Sequence, residues 1–96
     1  MDISVKCPKK SEDTASRIID GEAVIVIPQK GVVTVLNETG SGIWQLLDGE
    51  NTVEDIINTI SSEFNVSREE ARKDTLDFIE ELIEKDMVVL NDGPTV

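Results

Sequence analysis

Val35-Leu36-Asn37-Glu38-Thr39-Gly40-Ser41-Gly42-Ile43-Trp44-Gln45-Leu46-Leu47-Asp48-Gly49 is the stretch at which a sheet hands over to helices. A β-branched run ends at Leu36. Asn37 or Thr39 supplies a side-chain oxygen to cap a helix, which stops near Asp48-Gly49. Gly40 and Gly42 weaken the intrinsic helicity of its first turn, so close packing against the sheet is the expected compensation. The apolar cluster Ile43, Trp44, Leu46, Leu47 carries the single tryptophan, read as a core anchor because it buries a large area with one polar tip. No side chain in that cluster is an acid, a base or a metal ligand. The region is architecture for holding something.

Working toward the N-terminus, the runs Arg17-Ile18-Ile19-Asp20, Ala23-Val24-Ile25-Val26-Ile27 and Val32-Val33-Thr34-Val35-Leu36 are rich in β-branched residues. Gly21-Glu22 and Pro28-Gln29-Lys30-Gly31 connect them, which predicts an antiparallel meander. Residues 1–13 mix charge with Pro8 and show no apolar period; they read as a flexible N-terminal arm. Toward the C-terminus, Thr52 and Asp55 open a second helix with Val53, Ile56, Ile57, Ile60 and Phe64 on one face. Asn65-Val66 breaks it. Ser67-Arg68-Glu69-Glu70 caps a third helix running to about Asp86, and Met87-Val88-Val89-Leu90 has the pattern of a short terminal strand. The expectation is one α+β domain over residues 14–91, a three-stranded antiparallel sheet followed by a three-helix bundle. Residues 92–96 form a tail.

On the third helix, Ala71, Thr75, Phe78 and Leu82 define a stripe about 60° wide, and Leu76, Ile79 and Ile83 widen the apolar arc to about 160°. That exceeds the ~100° a core-facing helix needs. The extra flank, Leu76 and Ile83 with Arg72 beside them, either packs on the sheet edge or terminal segment, or walls an apolar groove.

Composition excludes several classes of function. There is no histidine, so imidazole catalysis and histidine metal sites are absent. The lone Cys7 cannot form an internal disulfide, which fits a reducing, cytoplasmic setting. No run approaches the ~20 apolar residues of a membrane span. Residues 1–31 hold five basic and five acidic groups, whereas residues 32–96 hold four and fifteen, so the whole net charge of −11 lies in the second part. Such a field repels phosphate backbones, and nucleic-acid binding is not expected. Gly40-Ser41-Gly42 lacks the Gly-x-Ser-x-Gly spacing of a nucleophile turn and has no histidine to activate Ser41. The same glycines fail as a dinucleotide fingerprint, and Asp48-Gly49-Glu50-Asn51 fails as a calcium loop. The chain also lacks the Asp-Ser-Leu of an acyl carrier and the basic recognition helix of a DNA binder.

Leu36-Asn37-Glu38-Thr39-Gly40, Ile43-Trp44-x-Leu46-Leu47-Asp48-Gly49, Thr52-Val53-Glu54-Asp55-Ile56, Glu63-Phe64-Asn65-Val66 and Asp74-x-x-x-Phe78-Ile79-x-x-Leu82 together resemble the PqqD family. This family comprises coenzyme PQQ synthesis protein D and its relatives, also termed RiPP recognition elements. The resemblance spans about residues 15–90. It implies a winged-helix-like arrangement and a chain with no catalytic role and no cofactor. It further implies that the leader of a ribosomally made precursor peptide adds as a strand beside the third strand, against the third helix. The bound peptide is then presented to a modifying enzyme, commonly a radical SAM protein whose iron–sulfur clusters are its own.

Read with the residues, this predicts Val32, Val33, Thr34, Val35 and Leu36 as the pairing edge. Leu76, Ile79 and Ile83 are expected to make apolar contacts, with Arg72, Asp77 and Glu80 at the polar rim. The competing reading is an acidic protein–protein adaptor or regulatory winged-helix-like domain that binds no precursor peptide.

Overall fold

A computed structural model of the chain describes residues 5–91. The meander is present as β2 (Ala15–Ile19), β3 (Glu22–Ile27) and β4 (Val32–Val35), following a strand β1 (Cys7–Lys10). Turn chemistry sets the register. The first turn is Asp20-Gly21, one residue earlier than the expected Gly21-Glu22, since Glu22 already pairs with Ile19. Both turn residues take positive φ, at 51° and 83°, the backbone a two-residue hairpin requires. Pro28 then opens a single 3-10 turn that closes on Gly31 at φ 64°. The register pairs Arg17 with Val24, and Val24 with Val35. Strand alternation turns Ala23, Ile25 and Ile27 into the core. Val24, Val26, Val33 and Val35 share the opposite face, where Val33 and Val35 are exposed.

The helices α1 (Glu38–Gln45), α2 (Val53–Glu63) and α3 (Arg68–Glu84) cover the inner face. Asn37 caps α1 by accepting the Gly40 amide at 2.8 Å. Thr52 and Asp55 form a reciprocal capping box on α2, and Ser67 accepts the Glu70 amide on α3. Trp44, Ile43 and Leu47 meet Ile56, Ile57 and Ile60 of α2 and Ile79 and Leu82 of α3 in one core. Trp44 is the anchor expected: it is buried, and its indole N–H donates to Ser16 Oγ at 3.0 Å.

The two α1 glycines pack against the other helices rather than against the strands, Gly40 also touching Leu36 just beyond β4. A Cβ at Gly42 would stand 3.0 Å from the Phe64 ring at the end of α2, and one at Gly40 would stand 3.4 Å from Phe78 of α3. The expected close approach is real, but its partners are mainly aromatic rings of the other helices.

Residues 7–10 overturn the reading of 1–13 as a flexible arm. They form β1, which pairs antiparallel with β5 (Val88–Asn91) in a separate two-stranded sheet. Cys7 is fully buried, the Lys10 ammonium lies 5.4 Å from the Trp44 ring centre, and the Lys10 amide donates to the Leu47 carbonyl. Local pattern missed this strand because Cys-Pro-Lys-Lys has no apolar alternation; a pairing partner about 80 residues away supplies the order. Residues 1–4 and the tail 92–96 lie outside the described residues. No helix among the described residues is long and apolar enough to cross a membrane.

Candidate peptide-binding groove

The strand order is β2-β3-β4, so β4 is an edge of its sheet. The Leu36 amide donates to the Ala23 carbonyl at 2.9 Å. In an antiparallel ladder the inward groups fall on alternate residues, so Leu36, Thr34 and Val32 bond toward β3. The N–H and C=O groups of Val33 and Val35 therefore point to the open side. Side chains alternate on the other axis: Leu36 is buried and Thr34 half-buried, whereas Val33 and Val35 stand on the outer face.

Beside this edge lies a cleft of about 580 Å³. Its first wall is Thr34, Val35, Leu36 and the start of α1, at Asn37, Thr39 and Gly40. Its second wall is the α3 flank bearing Asp74, Phe78, Glu81 and Lys85, with Ile43 and Leu82 deeper in. Because Gly40 has no side chain, the space beside Phe78 and Leu36 stays open. A smaller recess of about 310 Å³ continues past Thr34 and Lys85 to Ile27, Lys30, Val32 and Met87. The two share Thr34 and Lys85, so one groove runs along the strand edge from Asn37 to Lys30. Unpaired backbone groups with apolar recesses at alternating depth are what an extended peptide needs.

Of the residues anticipated from sequence, Val32, Thr34, Val35 and Leu36 line the groove or its continuation, and Val33 offers its backbone. The α3 residues are placed elsewhere. Ile79 is fully buried in the core. Arg72 turns to α2 and meets Glu54 at 3.2 Å, a carboxylate that Arg68 also engages. Leu76 and Ile83, on the same flank as Arg72, are half-buried against the core. Asp77 pairs with Lys73 at 3.2 Å, and Glu80 is exposed; neither lines the groove.

The groove thus uses the opposite flank of α3. Asp74, Phe78, Glu81 and Lys85 recur at intervals of three and four, which brings them onto one face. The helical wheel alone has apolar residues on both flanks, and only the crossing of α2 settles which one is covered. The signal that existed was Phe78: a large ring on the flank away from Arg72, facing a glycine on α1.

The shifted titratable groups cluster around β1, away from the groove. Hydrogen bonds from the Asn51 and Glu50 amides hold the Asp48 carboxyl below its ordinary value. Burial pushes the Cys7 thiol up, helped by the nearby Asp55 and Asp48 charges. Burial lowers the Lys10 ammonium, against the pull of Asp48. Among the described residues no three His, Cys, Asp or Glu side chains are grouped to hold a metal ion.

Comparison with known proteins bears on the family and the fold. The family model described as coenzyme PQQ synthesis protein D (PqqD) matches residues 22–88. A solved structure titled TbiB1 in complex with the TbiA(beta) leader peptide superposes with a TM-score of 0.77 at 34% identity, covering 83% of this chain and 93% of that one. A second, lasso peptide synthetase B1 complexed with the leader peptide, gives a TM-score of 0.76 at 26% identity, over 86% of this chain and 98% of that one. No curated protein matches.

Proposed function

The chain belongs to the PqqD family, and from that premise we propose that it captures the leader of a ribosomally made precursor peptide in the β4–α3 groove and presents it to a modifying enzyme. The guest adds to β4 as a further antiparallel strand, taking the outward N–H and C=O groups of Val33 and Val35. Its inward side chains enter the recess beside Gly40, Leu36 and Phe78. The observation that carries this reading is the open β4 edge running beside an apolar cleft on α3. The two solved relatives support it, since each was determined with a leader peptide. The chain's part is non-catalytic and needs no cofactor: it raises the local concentration of the peptide at the enzyme and fixes its register. A radical SAM enzyme is the partner that the family resemblance suggests, and the cytoplasm the setting.

The test is a titration of labelled protein with the leader of a precursor encoded beside its gene, followed by backbone amide shifts. The largest shifts are expected at residues 33–40 and at Asp74, Phe78 and Lys85. Shifts confined to the Arg72–Ile83 flank or to β2 would refute the groove.

A further inference from the structure

The two ends of the groove differ in charge. At the end beside Asn37 and Thr39, the α3 wall begins with Asp74, which has no ion-pair partner among the described residues. At the other end Lys85 and Lys30 line the same recess beside Val32. Those lysines are engaged only by exposed pairs, Lys85 with Glu81 at 3.1 Å and Lys30 with Asp86 at 2.7 Å. Exposed pairs are worth about 0–1 kcal/mol, so a guest carboxylate can displace them. Between the two ends Leu36, Ile43, Phe78 and Leu82 supply apolar wall, and the carboxylate there, Glu81, is held by Lys85.

We propose that the groove reads the charge order of its guest, a basic side chain seating at Asp74 and an acidic one between Lys30 and Lys85. This rests on the strand-addition reading and names the class of peptide that reading requires. Asp74 lies on α3 and Lys85 caps its C-terminus eleven residues later, about 16 Å along the axis at 1.5 Å per residue. An extended strand spans that in about five residues. Both charged side chains must point to α3, and strand alternation allows only even spacings, so they sit four or six residues apart. A guest antiparallel to β4 runs from the Asn37 end toward the Val32 end. Its basic residue therefore comes first in sequence. The molecule's net charge of −11 attracts any basic peptide to some degree, but it does not select a position or an order.

The experiment is selection of a random twelve-residue display library on the intact chain at physiological salt, followed by synthesis of the enriched peptides. Amide shifts locate each one. Peptides that shift residues 33–36 are expected to share a Lys or Arg followed four or six positions later by Asp or Glu. Asp74→Asn should weaken these peptides about three- to five-fold, the scale of one exposed pair. Their variants with Ala for the basic residue should lose nothing further, whereas Asp77→Asn, off the groove, should change neither. Groove-bound peptides with no charge order, a reversed order, or equal sensitivity to Asp74→Asn and Asp77→Asn overturn the charge reading and leave strand addition standing. If no selected peptide shifts residues 33–36, both fall together.

Discussion

Two buried hydroxyls have opposite consequences at the scale of single residues. Ser41, rejected as a nucleophile on sequence grounds, ties α1 to the sheet, because its Oγ accepts the Ala23 amide at 2.7 Å and lies 3.2 Å from the Leu36 carbonyl. Ser41→Ala strands a buried N–H and is expected to cost about 2 kcal/mol. In a domain of this size that lowers the melting temperature by roughly 10 °C, measurable by circular dichroism. Thr75 Oγ1 is buried without a partner. Removing an unpaired hydroxyl relieves its desolvation, so Thr75→Val is expected to stabilise by about 1 kcal/mol in the same assay. Asp48 supplies the pH dependence. Its folded pKa is depressed by the Asn51 and Glu50 amides, so its stabilisation is present above the unfolded value of about 3.9 and lost as pH falls through the lowered folded value. The stability gap between wild type and Asp48→Ala, from urea titrations, should be full at neutral pH and close in acid. A gap that widens in acid would contradict this.

At the scale of elements, β4 is two strands in one. Its even-numbered residues hold it to β3 and its odd-numbered ones face outward, as the Leu36–Ala23 bond establishes. Proline removes one donor wherever it is placed, and edge strands tolerate it on the open side. Val33→Pro should therefore leave the fold intact and reduce leader binding at least tenfold by calorimetry, while Thr34→Pro should unfold the sheet. Equal loss of folding in both variants would show that the alternation is misassigned. The α3 helix shows the limit of reading by periodicity. Its apolar arc was legible, and so was its N-cap at Ser67. Which flank remains open was not, because Arg72 is drawn to Glu54 of α2 by a contact between residues 18 apart.

The whole molecule is closed by β1 and β5, which join the two ends of the described chain. Cys7 makes that closure measurable. Its thiol is fully buried beneath the clasp, and burial favours its unreactive protonated form. Labelling with a thiol reagent at neutral pH is expected to be at least a hundredfold slower in the native protein than in denaturant. Native labelling as fast as a free thiol would restore the flexible arm and remove the clasp. Charge is also organised at this scale: residues 1–31 are balanced, and the acidic excess belongs to the remainder of the chain. The meander therefore presents a nearly neutral outer face of valines, while most of the acidic charge lies on the helices.

What this sequence determined by itself was everything encoded within a turn or two of chain. The β-branched runs of the meander, the N-caps Thr52 and Ser67 and the family motifs are local or ordered along the chain, although the first turn was read one residue late, at Gly21-Glu22. They were sufficient for the fold class and for the strand edge at Val32–Leu36. Tertiary structure alone decided the placement of β1 on β5 and the choice of the Asp74–Phe78–Lys85 flank as the groove wall. Both depend on contacts between residues far apart in sequence, where a segment's own pattern fits more than one partner and packing by its neighbours selects among them.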